Sequence, residues 1–242
     1  GDRGQWRLAS PGTIFAGIEA ALSATRDLSG LHVVVTAGGT REPIDPVRYV
    51  GNRSSGKQGH ALAAEAADRG AKVTLVTTVN LPAPPSADVV RVETAAEMDD
   101  AVRAVASGAD VVVMAAAVAD FRPAQVADRK IKKQGGVPEI VLEPTVDILA
   151  GLGERKRPGQ TLVGFAAETD RVRQNATSKL VAKGADLIVA NDVTAAGAGF
   201  EHDTNSVVIM HADGTEREVP LADKRAIARS VFDAVINRRQ QP

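Results

Sequence analysis

The 242-residue sequence contains no cysteine. That absence excludes a disulfide scaffold, a thiolate zinc site and cysteine nucleophilic catalysis. A basic excess is also missing: 29 Lys and Arg stand against 30 Asp and Glu, for a net charge of −1. This balance argues against nucleic acid or an anionic membrane as a partner. No apolar run approaches the ~18 residues of a membrane span, and no signal peptide is visible, so a soluble cytoplasmic protein is expected. The chain begins with Gly1 rather than Met, as a processed or excised piece would. What is present is core material: 44% hydrophobic and 24% charged residues. Such a chain can bury a sizeable interior, as one α/β domain with appendages or at most two small domains.

The pattern along the chain alternates strand and helix. Ser10-Pro11 followed by Ile14, Phe15, Ile18 and Leu22 predicts a helix over 11–25 inside a linker-like arm, 1–29. Six apolar runs then read as strands, at 31–37, 71–77, 88–93, 109–117, 161–167 and 185–190. Most are continuous Val/Ile/Leu/Ala without polar alternation, as expected of parallel strands covered on both faces. Helical stretches at 59–69, 95–107 and 171–183 separate several of them. The expected fold is therefore α/β, a Rossmann-like, doubly wound, mainly parallel sheet. A hairpin over 205–221 about Asp213-Gly214 extends it, and a helix over 222–238 ends the chain. Ligands of such sheets bind at the carboxyl ends of the strands.

The familiar nucleotide signatures are missing there. "GNRSSGKQG" (51–59) matches a P-loop until its last position, where Gln58 replaces the Ser or Thr that would bind Mg²⁺. The lysine also follows the first strand by 20 residues, through a long polar loop, instead of directly. No G-x-G-x-x-G follows the first strand, and the second ends in Thr77-Thr78 with no acid for a ribose. What remains is Ser54, Ser55, Gly56 and Gly59 ahead of an alanine-rich helix, either an anion cradle or a serine-capped helix start. The same loop carries Arg41, Arg48, Asn52 and Arg53.

Other candidates lie farther along. Three alanines, 115–117, end the fourth strand, through close packing or close approach to a ligand. Asp120 just beyond is either a cap or a carboxylate for Mg²⁺ beside phosphates. "RKIKK" gathers Arg129, Lys130, Lys132 and Lys133, a solvated run or the partner of a triphosphate. Lys179 and Lys183, four apart, share a helix face downstream of Phe165.

Together, "VTAGGTREPIDPVRYVGNRSSGKQG" (35–59), "AAAVADFRP" (115–123), "KIKK" (130–133), "GFAAET" (164–169) and "ANDV" (190–193) closely resemble phosphopantothenoylcysteine synthetase. The resemblance is to the bacterial synthetase domain of the bifunctional coenzyme A biosynthesis protein, over about residues 30–238. It implies a synthetase domain over 30–242, with 1–29 as the tail of a connection from an N-terminal decarboxylase domain. It further implies a homodimer whose second subunit completes the site, the hairpin over 205–221 being either a contributor to that interface or an edge extension of the sheet, with 4′-phosphopantothenate, L-cysteine and CTP as substrates and Mg²⁺ as cofactor. By the same resemblance, Asn52 contacts an acyl-cytidylate intermediate, Lys130 meets CTP, and Asp120 stands beside CTP and its cation. Met114, Ala115 and Ala116, the segment Val146, Asp147, Ile148 and Leu149, and Phe165 enclose the nucleotide, which Lys179 and Lys183 bind. The family often has Pro before the Asp147 equivalent where this chain has Val146, so that segment is expected to contribute mainly backbone contacts. Arg48, Ser54, Ser55, Gly56 and Gly59 then face a phosphate of substrate or nucleotide.

Two other readings compete. "TAGG" on a doubly wound sheet suits a short-chain-type NAD(P)-dependent oxidoreductase, but its Tyr-x-x-x-Lys dyad is absent: Arg53 follows the one tyrosine, Tyr49, by four. A non-catalytic module binding phosphorylated metabolites would need the same cradle without turnover.

Overall fold

A computed structural model describes residues 10–12, 25–133, 139–168, 172–192 and 203–241. The helix expected over 11–25 and most of the arm 1–29 lie outside the described residues.

One eight-stranded sheet organises the chain. Six parallel strands come first: β1 (His32–Ala37), β4 (Lys72–Thr77), β5 (Asp88–Arg91), β6 (Val111–Met114), β9 (Thr161–Glu168) and β10 (Leu187–Asp192). β11 (Thr204–His211) and β12 (Glu216–Asp223) add an antiparallel hairpin, turning at Gly214 with φ of 86°. The order across the sheet is β12-β11-β10-β9-β6-β1-β4-β5. The parallel part is doubly wound: after β1 the chain builds outward through β4 and β5, then returns to β6 on the other flank. The gap between β1 and β6 is therefore the switch point, where such sheets open a crevice.

Side chains alternate across β1 with period two. Val33, Val35 and Ala37 face a core shared with Leu62 and Phe232, under helices Lys57–Asp68 and Lys224–Gln240. Val34 enters the opposite core with Met98, Val102 and Ile188, under helices Ala95–Ala106, Ile148–Glu154 and Val172–Lys183. The sheet is thus buried on both faces, as its unbroken apolar runs predict. Helix Ala95–Ala106 starts in a capping box in which Thr94 accepts from Glu97 N–H and Glu97 reaches back to the Thr94 N–H. β12 is the outer edge, mostly exposed, carrying Glu216, Arg217, Glu218 and Pro220.

The structure moves several boundaries. The fourth apolar run is regular strand only to Met114, because the Ala116 N–H donates to Thr36 Oγ1 at 3.0 Å and leaves the ladder. The third run pairs only to Arg91. The final helix starts at Lys224, since β12 continues to Asp223, whose carboxylate caps it by accepting from Ala226 N–H at 2.8 Å. Helix Ile148–Glu154 falls in a segment expected to supply mainly backbone contacts. Two short ribbons, β2 (Arg41–Pro43) with β3 (Tyr49–Gly51) and β7 (Phe121–Pro123) with β8 (Leu142–Pro144), organise stretches that read as loops. The ribbons pack against each other beyond the sheet's carboxyl edge.

Helix Lys57–Asp68 meets β1 through Gly59. A Cβ there would stand 2.5 Å from Ala37 Cβ and 2.7 Å from Thr36 O. Gly59→Ala should therefore cost about 1–3 kcal/mol, as overpacking of a fixed contact does. The check is the midpoint of denaturant unfolding, expected to fall without a change in slope.

Candidate functional site

The crevice at the switch point is a cavity of about 710 Å³. Its floor is the carboxyl edge of the sheet, and its walls come from the loops after β1 and β6. Those loops are laced to each other. Thr40 N–H donates to Ala117 O at 3.2 Å, Ala117 N–H to Gly38 O at 2.8 Å, and Ala119 N–H to Thr40 Oγ1 at 2.9 Å. Asn52 Nδ2 adds a bond to Val118 O at 2.9 Å. Gly39 lets this happen, because a Cβ on it would lie 2.6 Å from Asn52 O.

On the first wall stand Asn52, Ser54, Ser55, Gly56 and Gly59. Gly56, not a serine, is the N-cap of helix Lys57–Asp68; its φ is 74°, and no side chain caps the helix. The Ser54 hydroxyl instead accepts from Gly56 N–H at 3.4 Å. A serine-capped helix start is therefore not what this sequence builds. A left-handed glycine at an uncapped helix start leaves the positive end of the dipole toward the cavity.

The second wall holds Met114, Ala115, Ala116 and Asp120, and Phe165 lines the cavity from β9. The start of helix Ile148–Glu154 brings Val146, Asp147, Ile148 and Leu149, and helix Val172–Lys183 brings Lys179 and Lys183. These two helices touch at Gly153, where a Cβ would collide with Lys183 O. Asp147 caps its helix, accepting from Ala150 N–H at 3.0 Å, and pairs with the Lys183 ammonium. Burial alone would push the Asp147 carboxyl up, but Lys183 and the Ala150 N–H hold it below the ordinary carboxylate range. Among the described residues no three carboxylate or imidazole groups gather around a potential metal position.

Two expected residues stand elsewhere. Arg48 is not in the lining: its guanidinium donates to Asp45 Oδ2 at 2.6 Å and to Ile131 O at 2.7 Å. Lys130 is exposed beside Ile131, likewise outside the lining. The buried Asp45 joins them, accepting from Val47, Arg48 and Ile131 N–H groups. Burial opposes its ionisation, but those N–H groups and Arg48 bring its carboxyl down to about 2. Asp45 and Arg48 thus hold Ile131 from both its N–H and its carbonyl, fixing the backbone next to Lys130.

Some of the lining was not anticipated. Thr145, Asn205 and Lys224 carried no signal, since Thr145 follows a short strand, Asn205 lies within β11 and Lys224 follows a helix cap. Asn191 lies inside "ANDV", and Gln58 registered only as the residue that breaks the P-loop pattern. Tyr49 is exposed under Arg41, 5.4 Å from the guanidinium carbon, and is not part of the lining.

Comparison with known proteins gives the chain its family. Residues 28–238 match the family described as the DNA/pantothenate metabolism flavoprotein C-terminal domain. The chain belongs to this family. Among its flavoprotein C-terminal relatives, the coenzyme A biosynthesis bifunctional protein CoaBC of Bacillus subtilis (strain 168) is 47% identical over 236 residues, covering 96% of this chain and 58% of that protein. CoaBC of Escherichia coli (strain K12) is 44% identical over 242 residues, covering 98% of this chain and 59% of that protein. The chain thus spans little more than half the length of these relatives. A crystal structure of the C-terminal domain of CoaBC superposes with a TM-score of 0.75 at 42% identity, covering 88% of this chain and 97% of that one. The fold alone is shared with a Cab2 mutant in complex with phosphopantothenate-cysteine, at a TM-score of 0.71 and 18% identity over 96% of this chain and 95% of that one.

The Asp45 hub makes a prediction about acid stability. Its carboxyl lies near 2 in the folded chain against 3.8 ordinarily. A depressed carboxylate contributes stability above its unfolded value and loses it as pH falls through the folded one. The contribution is therefore present above 3.8 and disappears toward 2. Asp45→Asn should be less stable than wild type at pH 6, and the gap should narrow between pH 4 and pH 2. Urea midpoints across that range measure it.

Proposed function

We propose that the chain is a phosphopantothenoylcysteine synthetase domain, joining 4′-phosphopantothenate to L-cysteine at the expense of CTP. The observation that carries this reading is the meeting, in one switch-point cavity, of the uncapped helix start at Gly56, the Asp120 carboxylate, and Lys179 and Lys183. A helix start, two lysines and a carboxylate sharing one cavity are the kinds of group a nucleoside triphosphate and its cation need. Relatives named for coenzyme A biosynthesis support the same assignment.

The chemistry runs in two balanced steps. A carboxylate oxygen of phosphopantothenate attacks the α-phosphorus of CTP, and the bond to the bridging oxygen breaks with its electron pair leaving on pyrophosphate. The amine of cysteine then attacks the acyl carbon, sheds a proton, and displaces CMP as the acyl–oxygen bond breaks. No covalent enzyme intermediate is required, so the protein's work is alignment and neutralisation of charge. That suits a chain without cysteine and a cavity with no histidine among the described residues of its lining.

The roles we assign rest on the lining and on the resemblance to the family. Met114 to Ala116, the 146–149 turn and Phe165 form the apolar enclosure for the cytosine nucleoside, and Lys179 and Lys183 meet its phosphates. Ser54, Ser55, Gly56 and Gly59 form the phosphate cradle, and Asn52 supports the acyl-cytidylate. Asp120 is a single carboxylate, and Mg²⁺ commonly takes one or two while substrate phosphates supply the rest. It would hold the ion that CTP brings, which would offset charge on the phosphate oxygens. Lys130 is retained as the lysine that reaches CTP from outside the walls, and Arg48 steadies the segment bearing it. The two short ribbons expose Val47, Tyr49, Phe121, Val126 and Val141, each more than half exposed. Exposed apolar side chains on and beside ribbons that pack together favour a second copy, and we assign the homodimer interface to them. The hairpin 205–221 serves as an edge extension of the sheet. An N-terminal decarboxylase domain, the boundary at residue 29 and a cytoplasmic setting complete the reading.

An oxidoreductase is disfavoured by the same cavity. Helix Lys57–Asp68 begins 20 residues past β1, so no glycine turn links strand and helix around a dinucleotide.

Pyrophosphate release tests the proposal directly. With Mg²⁺ and phosphopantothenate, CTP should support release and ATP should not, and omitting cysteine should leave a single turnover. Absence of release with every nucleotide would reject the reading. Asn52→Asp should keep the first half-reaction and slow the second. Mass spectrometry of the bound species is then expected to find acyl-cytidylate; finding CTP alone would remove Asn52 from that role.

A further inference from the structure

Two amide side chains on the cavity wall have no part in the roles above, and neither donates to the protein. Asn205 lines the cavity and is 4% exposed. Its Oδ1 accepts from Ser206 N–H at 3.0 Å, and among the described residues that is the one hydrogen bond of the side chain. Its Nδ2 therefore has no acceptor. Asn191 also lines the cavity, at 8% exposed, and among the described residues its amide makes no hydrogen bond. The unpaired atoms of both amides are open to solvent rather than sealed in the core.

The strands put these two side chains on one face. β10 and β11 are antiparallel neighbours, with Asn191 opposite Val207. With a side-chain period of two, Asn191 falls on the side of Leu187 and Val189, and Asn205 on the side of Val207 and Ile209. Those four belong to the core under helices Lys57–Asp68 and Lys224–Gln240. Both asparagines thus interrupt an apolar stripe where it reaches the cavity, near Gln58 and Gly59. Packing gives no reason for them. Asparagine is depleted in strands, and an apolar residue at either position would continue the stripe. A buried polar group without a partner costs free energy. An amide kept at that cost, with its donor open to a cavity, is suited to a ligand that brings an acceptor.

We propose that Asn205 is a substrate-binding residue whose Nδ2–H donates to an acceptor oxygen of the bound ligand, with Asn191 on the same face one strand away. This rests on the synthetase reading above and extends it to the hairpin, whose first residue joins the cavity wall. The oxygen is carried either by the outer phosphates of the nucleotide or by the acid substrate, phosphopantothenate. The nucleoside is not its source, since Ile148 and Leu149 of that enclosure pack with the core of the opposite face.

The experiment is calorimetric titration of the whole chain, in wild-type, Asn205→Asp and Asn205→Ala forms, with CTP, inorganic pyrophosphate, CMP and phosphopantothenate. Aspartate keeps the shape and the acceptor for Ser206 N–H, and exchanges the donor for a second acceptor. Alanine removes the donor without adding charge. Affinity should fall about 10–100-fold in both variants, the scale of one hydrogen bond to a charged group, with CMP unchanged in Asn205→Ala. Loss for CTP and pyrophosphate assigns the oxygen to the nucleotide, and loss for phosphopantothenate assigns it to the acid. A loss confined to one variant overturns the proposal: in alanine alone it reports the bond to Ser206, in aspartate alone charge repulsion. Unchanged affinities overturn it as well. Should either variant fail to fold, wild-type crystals soaked with CTP or with phosphopantothenate decide. A ligand oxygen within hydrogen-bond distance of Asn205 Nδ2 is expected, and bound ligands with every oxygen elsewhere reject the proposal. The two readings fail separately. Asn205-dependent binding without CTP turnover keeps the binding residue and rejects the synthetase; turnover with Asn205-independent binding does the reverse.

Discussion

The cavity depends on two stretches of backbone leaving the sheet side by side. Where β1 and β6 end, Gly38 to Thr40 and Ala115 to Ala119 continue as neighbours, bound through Thr40 N–H, Ala117 N–H and Ala119 N–H. Small residues make the approach possible. A Cβ on Gly39 would press on Asn52 O, and a Cβ on Gly51 would stand 2.5 Å from Thr40 O. A buried backbone polar group left unpaired is expensive. These pairings therefore make a rigid lip out of what would otherwise be two loose loops, and two walls of the cavity are built on that lip. Asn52 is attached to it directly through Val118 O.

The large-scale fold was open to reading because parallel strands covered on both sides must be apolar along their length. Val33, Val34 and Val35 are fully buried on alternate faces, and each apolar run became a strand of the one sheet. The hairpin turn at Asp213-Gly214 followed from glycine's access to positive φ, aided by Asp213 Oδ1 accepting from Thr215 N–H at 2.9 Å. The short ribbons were harder. β2, β3, β7 and β8 have three residues each, too few for a period to show, and their pairing is decided by contacts between distant segments. Helix Ile148–Glu154 has a similar history, because two glycines within seven residues argue against a helix unless tertiary contact demands one. Gly153 shows that demand, lying against Lys183 O.

The site was legible to the extent that its residues came in runs. Ser54 to Gly59, Met114 to Asp120 and Val146 to Leu149 are contiguous, and all line the cavity. Lys224 and Asn205 come from single positions on separate elements, joined to the cavity only by the way the hairpin and last helix fold back across helix Lys57–Asp68. Nothing local distinguishes Lys224 from the many lysines that open a surface helix. Arg48 shows the limit of reading single residues: a basic residue in a polar loop suggests an anion, and in the folded chain its guanidinium meets a carboxylate of its own turn and the Ile131 carbonyl.

The outer edge of the sheet has a bearing on how the chain behaves in company. β12 ends the ladder, so one row of its amides and carbonyls has no neighbouring strand, and an incoming strand could extend it without limit. Glu216, Arg217 and Glu218 bring fixed charge to that border, and Pro220 removes one donor from it. Arg173 reaches across to both glutamates, so the charges are held where a stranger would have to dock. Charge and proline on such a border are the devices that make an otherwise continuous hydrogen-bonding template a poor seed for stacking between molecules.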